Sequence, residues 1–202
     1  MVNIMKYNGT DKYCYEESPG VLINKFDILD DELLDRRIMH EQMQIIDDIK
    51  IHRPYSLETL CAIHKKLFSC AFEWAGELRD IDISKGSTRF CSNPYLTKVG
   101  EEIFKKINRL NEKMRSEENL DISDEKSINY MNELGELISD LNMLHPFREG
   151  NGRTLRLFIE LFLFNLGINI SWPTSPERWM KSSICDDKNG FTSLLLENIS
   201  ND

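Results

Sequence analysis

With 202 residues, 41% of them hydrophobic and 29% charged, the sequence has an ordinary globular composition and enough apolar material for one sizeable core. A formal net charge of −9 excludes a broad electrostatic footprint for nucleic acid or an anionic membrane, so any anion site must be local. The five cysteines are an odd number without a CxxC pair, which argues against a disulfide framework or zinc ribbon and for reduced thiols. Met1 to Glu17 contains no apolar leader core, and the longest apolar run, Leu157 to Leu166, is too short for a bilayer and carries Glu160. These features predict a cytoplasmic protein with no membrane or nucleic-acid partner; export as an effector is compatible with them.

Helical spacing dominates the rest. A charged amphipathic helix is expected from Asp31 to about Ile51, and Ser56 is placed to cap a second helix running to Cys70. Leu78 to Ser84 then alternates apolar and polar residues with period two before Lys85-Gly86 and Thr88-Arg89-Phe90, which predicts a β-hairpin over about 78–90. Asn93-Pro94 signals another helix start, extending to about Met114. A further helix spans Asp124 to Leu144, where His145-Pro146 stops it. No repeat or Gly/Ser linker divides the chain, so the fold class is all-α, a helical bundle carrying one small hairpin.

The informative stretch is His145-Pro146-Phe147-Arg148-Glu149-Gly150-Asn151-Gly152-Arg153-Thr154-Leu155-Arg156. Gly150 and Gly152 flank Asn151, so the backbone can turn sharply and aim several N–H groups at one spot. A helix start follows, adding free N–H donors and a positive dipole end, which suits phosphate. Arg153 and Arg156 lie three apart on that helix and can serve one anion, although Arg156 can also pair with Glu160 at i, i+4. There is no GK[ST] and no strand–GxGxxG–helix, which excludes the common nucleotide loops. Glu149 beside a phosphate site suits Mg²⁺, and His145 is placed to take a proton from an attacking hydroxyl.

At these residues the sequence resembles the Fic family, whose signature HxFx(D/E)GNGRxxR is filled at every position. Phe72-Glu73-Trp74-Ala75-Gly76-Glu77-Leu78-Arg79, followed by Ile83-Ser84-Lys85-Gly86, is similar to the stretch leading into that family's target-docking hairpin, the flap. The resemblance implies a protein adenylyltransferase. His145 would deprotonate a hydroxyl of the target, Glu149 would hold Mg²⁺, and Gly150, Asn151 and Gly152 would form an anion hole. Arg153 and Arg156 would hold the β- and γ-phosphates of ATP. Ile81, Ile83, Lys85 and Gly86 are the flap candidates for pairing with an extended target segment; Ile81 and Ile83 either stand on its exposed edge or pack onto the bundle. Trp172 and the Pro176-to-Trp179 stretch are expected near the adenine end.

Thr192 to Asn198 looks helical after a Lys188-Asn189-Gly190 turn, and its Ser193, Glu197 and Asn198 match the (S/T)xxxE(G/N) inhibitory motif of Fic proteins. That resemblance divides the chain into a core (1–186, catalytic loop 145–156) and a C-terminal inhibitory helix (187–202), with Glu197 reaching Arg156 in place of a γ-phosphate. Expected partners are ATP, target proteins on the flap, and further copies of the chain through self-modification or homo-oligomerisation. Two other readings stand beside transfer of AMP: removal of AMP or transfer of another phosphate-containing group on the same frame, and a silent peptide-binding module.

Overall fold

The computed structural model describes residues 11–86, 88–117, 124–173, 177–185 and 187–200. Among them run seven α-helices and two short antiparallel pairs of strands, which agrees with the expected all-α bundle. Pro176, placed above near the adenine end, lies outside the described residues.

Helix α1 (Asp31–Met43) is capped by Asp30, whose carboxylate accepts from the Leu33 N–H at 2.8 Å. It stops well short of the expected Ile51 and passes into a 3₁₀ turn, Ile46–Asp48. Ile49 and Ile51 are both buried just beyond it, a spacing of two that an extended chain can direct to one side and a helix cannot. Helix α2 (Leu57–Phe68) starts after Ser56, whose N–H donates to Thr59 Oγ1 at 3.0 Å, and buries Leu60, Ile63, His64, Leu67 and Phe68 along one face.

The flap is smaller than the alternation implied. Strand β1 (Ser84–Lys85) pairs with β2 (Thr88–Arg89) in the register Ser84↔Arg89 and Lys85↔Thr88. Residues 78–83 form an irregular stem instead, because their polar groups are engaged elsewhere: Arg79 is buried, and Asp82 Oδ1 accepts from the Asn93 N–H at 2.7 Å. Of the two placements open to Ile83, packing onto the bundle is the one observed. Ile83 is 6% exposed and packs with Phe90 under the hairpin, with half-buried Ile81 and Met143 beside them.

Helix α3 (Leu96–Arg115) follows a 3₁₀ turn containing Pro94, and α4 (Glu125–Leu144) is capped by Asp124 through the Ser127 N–H at 2.7 Å. Helix α5 (Asn151–Phe164) is apolar almost all round and runs through the core, where Leu155, Phe158, Ile159, Phe162 and Leu163 are buried. Helices α6 (Glu177–Cys185) and α7 (Lys188–Asn198) complete the bundle. The expected turn at Lys188-Asn189-Gly190 is the first turn of α7; Asp187 caps it by accepting from the Gly190 N–H at 3.0 Å.

Helix α7 lies along α4 and buries Phe191, Leu194 and Leu195 in the same core as the other helices. The two backbones approach closely at Gly135, where an added Cβ would sit 2.2 Å from Thr192 Oγ1. Past α7, strand β4 (Ile199–Ser200) pairs with β3 (Asn169–Ile170), a contact that two-residue strands leave no pattern to predict. Among the described residues no helix is long and apolar enough to cross a membrane.

Candidate active site

The loop of the sequence motif begins where α4 must end. Pro146 cannot continue a helix, and His145 takes the left-handed conformation at φ 44° that closes the last turn. Its ring stacks on Phe90 at 3.8 Å between centroids, and Nδ1 lies 3.0 Å from the Asn142 carbonyl. A carbonyl only accepts, so Nδ1 carries the proton and the lone pair of the neutral ring is on Nε2. Burial pushes the imidazole pKa down to about 4, against the raising effect of the Asn142 bond. The ring is therefore neutral at pH 7, the form a general base requires.

Phe147 anchors the loop: it is buried and stacks on His64 at 3.9 Å. Asn151 clamps it from the other side, its Oδ1 accepting from the Phe147 N–H at 2.9 Å and its Nδ2 donating to the Phe147 carbonyl at 2.7 Å. The Asn151 side chain is thus a brace for the loop, and only its main-chain N–H is placed at the helix start for an anion. Gly150 makes the sharp turn alone, with φ 80°, and caps α5; Gly152 already lies in the first helical turn.

Glu149 and the two arginines follow. Glu149 is mostly buried, with Oε1 3.9 Å from Arg153 Nη2. Arg153 bonds Asp35 at 3.0 Å through Nη2 and lies over the Phe68 ring, while its buried Nη1 has no hydrogen-bond partner among the described residues. Arg156 does not pair with Glu160. Its guanidinium lies 5.5 Å from the Trp179 ring centroid, and its pKa is lowered first by burial and then by the charge of Arg153. Among the described residues these two half-buried cations share no carboxylate, and that together with the orphaned Arg153 N–H favours an anion at this place.

These groups share one cleft of about 190 Å³, lined by Lys85, His145, Glu149, Gly150, Asn151, Gly152, Arg153 and Arg156 together with Asn142, Trp179, Met180 and Ser183. Trp179 packs edge-on against Trp172 at 5.4 Å, so the first forms the cleft wall and the second supports it.

The C-terminal motif is not part of that lining. Glu197 meets Arg178, with Oε1 3.0 Å from Nη2 and a second, shorter contact, so the expected pairing with Arg156 is replaced. The reason is local: α6 packs on α7 and sets Arg178 opposite Glu197, while Trp179 occupies the guanidinium face of Arg156. Asn198 is turned to its own helix, Nδ2 donating to the Leu194 carbonyl at 2.8 Å.

Several residues that shape the site gave no motif signal. His64 accepts from the Gly76 N–H at Nδ1 (2.8 Å) and donates from Nε2 to the Glu149 carbonyl (3.0 Å), fixing the main chain of the acidic residue. Burial lowers its pKa to about 4. Asn142 binds Ser183 of α6 twice, at 3.0 and 2.6 Å, while holding His145 in its tautomer. A lone histidine or asparagine inside a helix looks like any core residue until its partners, far off in sequence, are known.

The profile of the Fic/DOC family matches residues 54–163, from the lead-in of α2 to the end of α5. The chain belongs to the Fic/DOC family. It is 36% identical over 129 residues to the "Probable protein adenylyltransferase Fic" of Salmonella typhimurium LT2, covering 63% of this chain and 60% of that one. It is 29% identical over 195 residues to the "Protein adenylyltransferase VbhT" of Bartonella schoenbuchensis, covering 94% of this chain and 38% of that one. The chain therefore spans less than two thirds of these relatives' lengths. The crystal structure of the BepC protein of Bartonella tribocorum with bound AMPPNP superposes with a TM-score of 0.79 over 96% of this chain and 98% of that one, at 19% identity. That likeness establishes a shared Fic fold.

Proposed function

We propose that this Fic protein transfers AMP from ATP to a hydroxyl side chain of a target protein. The observation that carries the reading is the single cleft in which a neutral histidine, one acidic side chain, a helix N-terminus and two arginines without a shared counter-ion converge. At about 190 Å³ it is smaller than the roughly 300–1,000 Å³ of pockets that enclose a whole ligand, so it takes the phosphate end of ATP. Relatives named protein adenylyltransferase and a neighbour crystallised with AMPPNP support the choice of nucleotide.

In this mechanism the α5 N-terminus, Arg153 and Arg156 bind the phosphate oxygens and hold the α-phosphorus in line with the flap. His145 Nε2 takes the proton of the target hydroxyl as its oxygen bonds to the α-phosphorus, the bond to the bridging oxygen breaks, and pyrophosphate leaves. Proton removal by a positioned base contributes roughly 10²–10⁴-fold. Glu149 fits Mg²⁺: among the described residues no group of three metal-ligating side chains exists, and Mg²⁺ takes one carboxylate together with phosphate oxygens and water. When bound, the ion would offset charge on the phosphates. Lys85 and Gly86 present the target from the flap, which binds an extended segment by strand addition.

We also infer that α7 restrains this activity. Its Ser193…Glu197-Asn198 spacing and its docking through Phe191 and Leu195 support the reading. Arg178 then parks Glu197, and inhibition consists of its exchange onto Arg156. Incubating the protein with α-labelled ATP, Mg²⁺ and a cell lysate tests the main reading: labelled protein bands that require His145 are expected, and label released only as free AMP would refute it.

A further inference from the structure

The sequence motif accounts for the cleft, but one buried charge near it remains unexplained. Arg79, in the flap stem, has a side chain with 0% exposure. Buried guanidinium groups ordinarily sit on carboxylates. One carboxylate oxygen, Asp82 Oδ1 on a side chain 43% exposed, is 3.9 Å from Nη1, which is too far for a hydrogen bond. Its guanidinium also reaches four main-chain carbonyls. Nε donates to His145 at 2.8 Å, Nη1 to Ile81 at 2.6 Å, and Nη2 to Cys91 and, at 3.4 Å, to Leu144.

Those four carbonyls come from three places: the end of α4 with the catalytic histidine, the entry to the flap, and the exit from it. Two main-chain bonds run alongside, from the Arg79 N–H to the Pro146 carbonyl at 2.9 Å and from the Cys91 N–H to the Met143 carbonyl at 3.0 Å. His145 occupies the left-handed region, which is uncommon for a residue with a side chain and persists where surroundings enforce it. A guanidinium offers five N–H groups in a fixed plane, so one side chain can hold several carbonyls in a set mutual geometry; an ammonium cannot.

We propose that Arg79 is a positioning residue that fastens both ends of the flap to the backbone of His145, so that a target docked on the flap arrives in register with the general base. The proposal rests on the adenylyltransferase reading for its consequence, though not for its geometry. The Arg79 charge also opposes formation of imidazolium at His145, beside the larger effect of burial.

The test uses the full chain with Arg79→Lys and Arg79→Gln. Because these Arg79 bonds go to carbonyls of residues 81, 91, 144, 145 and 146 and not to the phosphate-binding residues 150–156, both variants should bind AMPPNP within about threefold of wild type by calorimetry, which also certifies the fold. Transfer of AMP to a target protein should fall roughly 100-fold in both, the size of effect a misplacement near 1 Å produces, with the KM for ATP unchanged. The His145 imidazole, followed by NMR, should titrate higher in Arg79→Gln, and as in wild type in Arg79→Lys, which keeps the charge. A lysine variant with wild-type kcat and wild-type KM for the target overturns the proposal. If neither variant folds, hydrogen exchange at the Arg79 Nε–H of the wild-type protein decides: core-like protection supports it, and the rate of an exposed arginine overturns it. Absence of any labelling by the Glu197→Gly protein, in which the proposed restraint is removed, would refute the adenylyltransferase reading, while the NMR and exchange results would still judge Arg79.

Discussion

Two alanine substitutions two residues apart should behave in opposite ways. At Gly150 the backbone φ is 80°, and an added Cβ would lie 2.3 and 2.4 Å from two ring carbons of Phe68. Phe68 cannot withdraw, because it is fully buried, stacked 4.7 Å from His64 and covered by the Arg153 guanidinium. The left-handed conformation costs an alanine roughly 1–2 kcal/mol, and overpacking a core typically adds about 1–3. Together Gly150→Ala should destabilise the fold by about 2–5 kcal/mol, which for a chain of this size lowers the melting temperature by roughly 4–20 °C. Whatever relaxation relieves the clash also displaces the N–H groups at the start of α5, so AMPPNP should bind more weakly. At Gly152 the same methyl group would meet only Trp179 Nε1, at 3.6 Å, an ordinary contact, and alanine is the better helix former by about 0.5–1 kcal/mol. Gly152→Ala should melt at or above the wild-type temperature yet still impair AMPPNP, because its methyl narrows the cleft wall. Calorimetry, thermal and chemical, reads both quantities. A Gly150→Ala protein that melts within about 2 °C of wild type and binds AMPPNP normally would refute the pinned loop.

His145→Ala should abolish AMP transfer while leaving AMPPNP affinity within a few-fold, measured in a Glu197→Gly background; substantial labelling by it would remove the base assignment. Glu149→Gln should lower activity strongly and flatten its dependence on Mg²⁺ in a titration of the ion, and full activity with the dependence retained would place the metal elsewhere. His64 and His145 both titrate near 4 in the folded protein, against about 6.5 unfolded. The folded state binds these protons less tightly, so the stability involved is complete above about pH 6.5 and is lost as pH falls towards 4, on the order of 3 kcal/mol for each ring. Urea midpoints at pH 7 and 5 should show the decline, and a His64→Gln variant should show less of it; a midpoint that rises on acidification would contradict the sign. Finally, Glu197→Gly should raise AMP transfer and Arg178→Ala should lower it, since the second change releases Glu197 towards Arg156. Equal rates for all three proteins at matched ATP would refute the restraint.

Much of this was legible in the residues because it is local. The catalytic loop is twelve consecutive positions ending in a helix start, and the cleft gathers its His145, Glu149, Gly150, Gly152, Arg153 and Arg156 as the spacing implied. The helix start marked by a cap at Ser56 fell where expected, as did the start near Asp124. The flap was misjudged because period-two alternation cannot distinguish a strand from a stem whose arginine is drawn inward; only the carbonyls around Arg79 explain why residues 78–83 leave the sheet. Glu197 was misjudged for the same reason, since its partner on α6 depends on how two helices cross. His64 and Asn142 act through bonds to residues far away in sequence and carry no periodic or motif signal at all.

The seating of α7 decides which experiments on the C-terminal motif can be interpreted. Its Thr192 lies against Gly135, its apolar residues complete the core beneath α4, and its end continues into the pairing with β3. Removing α7 as a whole to delete Glu197 would strip Phe191, Leu194 and Leu195 from the interior at the same time, exposing apolar surface where truncations to alanine alone cost about 2–5 kcal/mol each. An inactive truncated protein would then record unfolding, and an active one a loosened bundle; neither would report on a single carboxylate. The proposed restraint has to be dissected by exchanging side chains on an intact scaffold, and the exchange of Glu197 between Arg178 and Arg156 that it invokes is one a rotation of side chains can make with the helix left in place.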